Sequence, residues 1–123
     1  MVSAIQKITI KDGVTVMLLL TPSLFAIAKE RGVELSADTE NTQAVMELYT
    51  RIIWLAALNY DAAARMDDPG LPEFPFKFLD FAAWRGQRRD EFARMVEIAL
   101  QALTGKTLAE IVKDDAAAGE KKN

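Results

Sequence analysis

The stretch TQAVMELYTRIIWLAALNYDAAARM, residues 42–66, decides the fold. It reads as one long helix, apolar around most of its circumference, with Glu47, Arg51, Asp61 and Arg65 as its only charges. A helix apolar on nearly all sides has to be enclosed by its own domain or by partners. Asn41 or Thr42 can cap its start. Met66-Asp67-Asp68-Pro69-Gly70 ends it, because proline cannot continue a helix and glycine supplies the turn.

The flanking sequence offers limited cover. Residues 4–10 are rich in Ile and Thr and read as a strand, and residues 14–20 as the return strand. Asp12-Gly13 between them predicts a two-residue type I′ turn. The run Met17-Leu18-Leu19-Leu20 implies cover on both faces, which an isolated hairpin lacks. Thr21-Pro22 predicts a capped helix start, residues 23–31 the helix, and Gly32 its C′ stop. Residues 33–41 are polar and read as a mobile loop.

Beyond the long helix, Leu71-Pro72-Glu73-Phe74-Pro75 is a stiff connector. A helix is expected over 76–85, stopped by Gly86. Gln87-Arg88-Arg89-Asp90 is then a charged turn in which Asp90 caps a helix over 91–104. That last helix has Phe92, Met95, Val96, Ala99, Leu100 and Leu103 at amphipathic spacing, and Gly105 closes it. Thr107 is placed to cap a short helix over 108–113, and 114–123 reads as a disordered tail. The expected fold is α+β, mostly α: one domain over 1–113, with an N-terminal β-hairpin followed by four to five helices around one long apolar central helix.

Composition narrows the function. The chain has 123 residues, 15 Lys/Arg against 18 Asp/Glu, and a net charge of −3. No basic stripe is present to neutralise phosphates, which disfavours nucleic acid. Absent cysteine rules out a disulfide scaffold and fits a reducing compartment. No signal-peptide pattern opens the chain. The longest nearly uncharged stretch, 52–60, is about nine residues, where a membrane span needs about twenty. The expectation is a cytoplasmic protein with no membrane contact.

The candidate chemistry is sparse. There is no histidine. Leu103-Thr104-Gly105-Lys106-Thr107 ends like a phosphate-binding loop, but Leu100 stands where the first glycine belongs. Asp67 and Asp68 read as a solvated turn, since calcium-type ligand alternation is missing. Arg85, Arg88 and Arg89 could bind an anion or an acidic partner. No catalytic residue, cofactor or metal site is expected. The aromatic set of Tyr49, Trp54, Tyr60, Phe74, Phe76 and Trp84 must supply core, yet the long helix is too apolar to be covered everywhere. Trp and Tyr are frequent binding hot spots. Tyr49, Ile53, Trp54 and Trp84 are the candidate protein-binding residues, chosen for size and position.

The order of elements resembles the tail assembly chaperones of long-tailed bacteriophages. The hairpin Ile8-Thr9-Ile10-Lys11-Asp12-Gly13-Val14-Thr15-Val16 carries the resemblance. So do the short helix Leu24-Phe25-Ala26-Ile27-Ala28-Lys29-Glu30-Arg31-Gly32, the Leu/Tyr/Ala-rich centre over 48–59, and the helices over 76–84 and 90–104. The aromatic-rich 72–84 segment departs from the family pattern. The resemblance implies a non-enzymatic phage or prophage protein that coats the tape measure protein, self-associates into homo-oligomers, and is displaced by the tail tube protein. The competing reading is a small structural or regulatory protein forming a stable homodimer through its apolar central helix.

Overall fold

The computed structural model describes residues 3–105. It has the expected class: strands β1 (Ile5–Lys11) and β2 (Val14–Leu19) form an antiparallel hairpin. Helices α1 (Ser23–Arg31), α2 (Thr42–Asp67), α3 (Phe78–Gln87) and α4 (Arg89–Thr104) follow. The expected helix over 108–113 and the tail over 114–123 lie outside the described residues.

The hairpin turn is not type I′. Gly13 has φ 73°, but no described non-glycine residue has positive φ, Asp12 included. A β-bulge between Thr9 and Lys11 supplies the rest of the reversal, so the second left-handed residue is not needed. Ile8 faces Val16 across the ladder, and both are buried with Ile10 and Leu18. Met17 and Leu19, on the opposite face, are only half-buried. The apolar run is therefore covered fully on one face and partly on the other, against the expectation of cover on both.

Three caps also differ from expectation. Thr21 does not cap α1: the helix begins behind Pro22 with no side-chain cap. The Thr21 hydroxyl instead joins Ser23 and Asn59 in a closed ring. Asn59 Nδ2 donates to Thr21 Oγ1 (3.0 Å), Ser23 Oγ donates to Asn59 Oδ1 (2.9 Å), and Thr21 and Ser23 oxygens meet at 2.6 Å. Gly86 does not stop α3, which runs on to Gln87, and Asp90 sits in the first turn of α4 rather than at its cap. The corner is made at Arg88 alone, with φ −125° and ψ 63°, while its N–H still bonds Trp84 O at 2.8 Å. The start of α3 is also later than expected: Phe76 lies outside the helix, Lys77 is its extended N-cap, and Asp80 accepts the Lys77 N–H at 2.7 Å.

Other boundaries follow the sequence. Asn41 caps α2 by accepting the Ala44 N–H at 3.1 Å. Gly32 and Gly105 end α1 and α4 with φ of 69° and 75°. The 33–41 loop is anchored in its first half: Val33 and Leu35 pack against the core, and Arg51 Nη1 donates to Glu34 O at 3.1 Å.

Helix α2 is enclosed only at its centre. Residues 55–59 are buried without a break, so the helix is wrapped on all sides for more than one turn. Toward either end, apolar side chains such as Val45, Leu48, Ile52 and Tyr60 are half-buried. Trp84 and Phe81 of α3 fill the space between the hairpin and the helices, and Trp84 stacks edge-on against Phe92 of α4 at 5.8 Å.

Candidate protein-binding surface

The four candidate residues separate into two pairs. Ile53 and Trp84 are core, 1% and 0% exposed. Trp84 also spends its one polar atom internally, donating Nε1–H to Glu91 Oε1 at 2.7 Å. Neither presents a surface in this fold, which corrects their choice as contact residues. Both belong to the core cluster that the hairpin and helices enclose. Tyr49 and Trp54 are half-buried and remain accessible.

Trp54 stands at the meeting of α1, α2 and the connector. Its ring packs edge-on against Phe78 at 5.6 Å, and the Arg31 guanidinium lies 6.0 Å from the ring centre. The atom Trp54 Nε1 is buried with no partner among the described residues. Ile27, Leu58, Phe74 and Phe76 extend this aromatic wall into an open cleft of about 570 Å³. The connector is held over it by Arg65. That side chain donates Nε–H to Asp61 (2.7 Å), one Nη1–H to Leu71 O (3.0 Å), and a further N–H to Pro72 O. From Phe74 to Phe78 half-buried and exposed residues alternate, with Phe74, Phe76 and Phe78 on the covered side. The 74-76-78 spacing carries that signal in the sequence.

Tyr49 lines a different groove, of about 690 Å³, between the first half of α2 and the start of α4. Val45 and Met46 join it from α2, and Phe92, Ala93 and Val96 from α4. The sequence singles out none of these as a surface: Val45 and Met46 belong to the long apolar helix, Phe92 and Val96 to an amphipathic face, and no local pattern pairs the two.

The basic cluster is dispersed. Arg85 turns inward and donates to Thr50 Oγ1 at 2.9 Å. Arg88 reaches across to Asp12 in the hairpin turn at 3.0 Å. Arg89 makes no ion pair among the described residues and lies beside Arg85 at one end of the groove. Asp68 is the C-cap of α2 and accepts the Gly70 N–H at 3.1 Å, as a turn residue does. Among the described residues no group of three His, Cys, Asp or Glu could hold a metal ion. Lys106 and Thr107 lie outside them. No described helix is long and apolar enough to cross a membrane.

The most exposed large apolar side chains are Met66 and Leu79, at 86% and 76%. Both flank the connector in sequence. The chain matches no family model, no curated protein and no solved structure.

Proposed function

We propose that this chain is a non-enzymatic assembly chaperone of the phage-tail type. In this reading it acts in the host cytoplasm without a cofactor. It coats a long helical client, the tape measure protein, self-associates along it, and leaves as tail tube protein arrives. One observation carries the reading: after the domain has packed, Phe25, Met46, Met66 and Leu79 remain exposed, and Trp54 opens onto an apolar cleft beside the connector. A half-buried Trp flanked by Phe rings is the kind of anchor that dominates protein contacts. Helical clients present apolar stripes that such a cleft can cover reversibly.

Co-expression with a tape measure protein, followed by pull-down and light scattering, tests this. The expected result is a soluble complex with several copies of this chain per client, weakened by Trp54→Ala. An insoluble client beside a discrete dimer that persists on dilution would replace this reading with the stable homodimer.

A further inference from the structure

We propose that the outer edge of β2 is an interface between two copies of this chain, paired antiparallel about Met17 so that their hairpins form one continuous sheet. The inference concerns the free protein and does not rest on the chaperone reading.

The hydrogen-bond phase of the hairpin identifies the edge. Leu20 N–H donates to Ala4 O at 2.7 Å, and the ladder then runs through Leu19–Ile5, Met17–Lys7 and Thr15–Thr9 at alternate positions. In an antiparallel pair the backbone groups of successive residues point in turn toward the neighbouring strand and away from it. Ile5, Lys7 and Thr9 therefore turn their N–H and C=O groups away from β2, and Thr15, Met17 and Leu19 turn theirs away from β1. Thr9 agrees with this phase, since its N–H goes to Glu91 Oε1, outside the hairpin.

The two edges are finished differently. On β1, Ile5 N–H meets Ser3 Oγ at 3.2 Å, Thr9 N–H is taken by Glu91, and Lys7 and Lys11 add charge. Capping and charge are what keep a strand edge from recruiting another strand. The β2 edge lacks both. Residues 14–20 contain no charged residue and no proline. Leu19 O accepts from Asn59 Nδ2 at 2.9 Å, which leaves that carbonyl a second lone pair. Among the described residues the outward N–H groups of Thr15, Met17 and Leu19 have no acceptor.

A second β2 fits this edge by symmetry. A two-fold axis at Met17 sets Met17 against the partner's Met17 and Thr15 against the partner's Leu19. The outward residues of both strands then exchange N–H and C=O, for about six backbone bonds. No like charges meet, because the strand carries none. The pairing also covers apolar surface that one copy leaves open. Ile5, 50% exposed, shares with half-buried Met17 and Leu19 the hairpin face turned from the core. On that face each Met17 lies beside the partner's Met17 and diagonal to the partner's Leu19, within reach of long side chains.

The test uses the full chain alone, comparing amide hydrogen exchange and sedimentation at micromolar and millimolar protein. As a dimer forms, the Thr15 and Met17 amides should exchange several-fold more slowly, while the Lys7 amide on the β1 edge does not change. Met17→Lys and Met17→Glu each place like charges across the axis and should weaken the dimer several-fold. An equimolar mixture of the two variants should recover it as a heterodimer, which a contact elsewhere would not do. An unchanged amide spectrum in the helices shows that both variants fold. A parent chain that stays monomeric at millimolar concentration overturns the proposal. So does a dimer in which Met17 exchanges as fast as in the monomer, or one indifferent to both charges and to their mixing, since the copies would then meet through the helices. No client is present, so this result and that of the co-expression can fail separately.

Discussion

Trp84 and Glu91 are joined by a hydrogen bond of 2.7 Å from the indole N–H to one carboxylate oxygen, and that same oxygen takes the Thr9 backbone N–H at 2.8 Å. One atom therefore ties the hairpin, α3 and α4 together. It also satisfies an outward-facing amide of β1 that would otherwise be an open strand edge. Removing it should leave a buried indole N–H and a strand N–H without an acceptor, each costing about 1–3 kcal/mol. Glu91→Ala is thus expected to destabilise by about 2–6 kcal/mol. Glu91→Gln keeps an acceptor oxygen and should cost less. Thermal unfolding of both variants checks the order, and equal losses would deny the shared oxygen its role.

The two tryptophans should behave differently. Trp84→Ala empties a fully enclosed site and is expected to cost about 3–5 kcal/mol. Trp54 is half-exposed, so its replacement by Ala removes less buried surface and also removes an unpartnered N–H. Its cost should be clearly smaller, with the loss appearing in client binding. Urea titrations of both proteins, paired with the pull-down, would read this. A Trp54→Ala protein as unstable as Trp84→Ala would make Trp54 a core residue only.

Asn59 is 5% exposed in the middle of α2, and all its polar atoms are used. Besides the ring with Thr21 and Ser23, Nδ2 donates to Leu19 O at 2.9 Å. It pins the end of β2 to the start of α1. Asn59→Asp replaces a donor by an acceptor and sets a carboxylate against two oxygens. It should cost more than Asn59→Ala, for which about 2–3 kcal/mol is expected. Chemical denaturation of the pair decides, and an Asp variant as stable as wild type would show that the ring does not hold.

The hairpin and α2 were legible because they rest on strong local signals: β-branched alternation, Asp-Gly, an Asn cap and a Pro-Gly stop. The corner between α3 and α4 was not. Gly86 looks like a stop, but the tertiary fit of Trp84 and Phe92 carries the helix past it and bends the chain at Arg88 instead. Ile53 and Trp84 were misplaced for a similar reason. Size marks a residue for burial or for binding equally well, and only the packed neighbours say which. Tyr49 and Trp54 stay accessible, as contact residues must, while Val45, Met46 and Ala93 carry no individual signal. They matter only through the space between two helices.

Arg65 fastens the connector, its guanidinium donating to Leu71 O and Pro72 O. Few other polar contacts hold that segment, and the inward-pointing Phe74 and Phe76 stay seated only while its backbone is in place. Arg65→Ala should therefore loosen the 71–77 segment far more than the fold. The expected signature is cleavage within 71–77 several-fold faster than in the parent under limited proteolysis, with the melting temperature lowered by only a few degrees, as about 1 kcal/mol implies. Arg65→Lys keeps the charge but supplies donors from a single point. It cannot reach Asp61, Leu71 and Pro72 together and should fall near the Ala variant. If both variants resist cleavage as the parent does, the aromatic side chains alone hold the connector, and the guanidinium clamp is incidental.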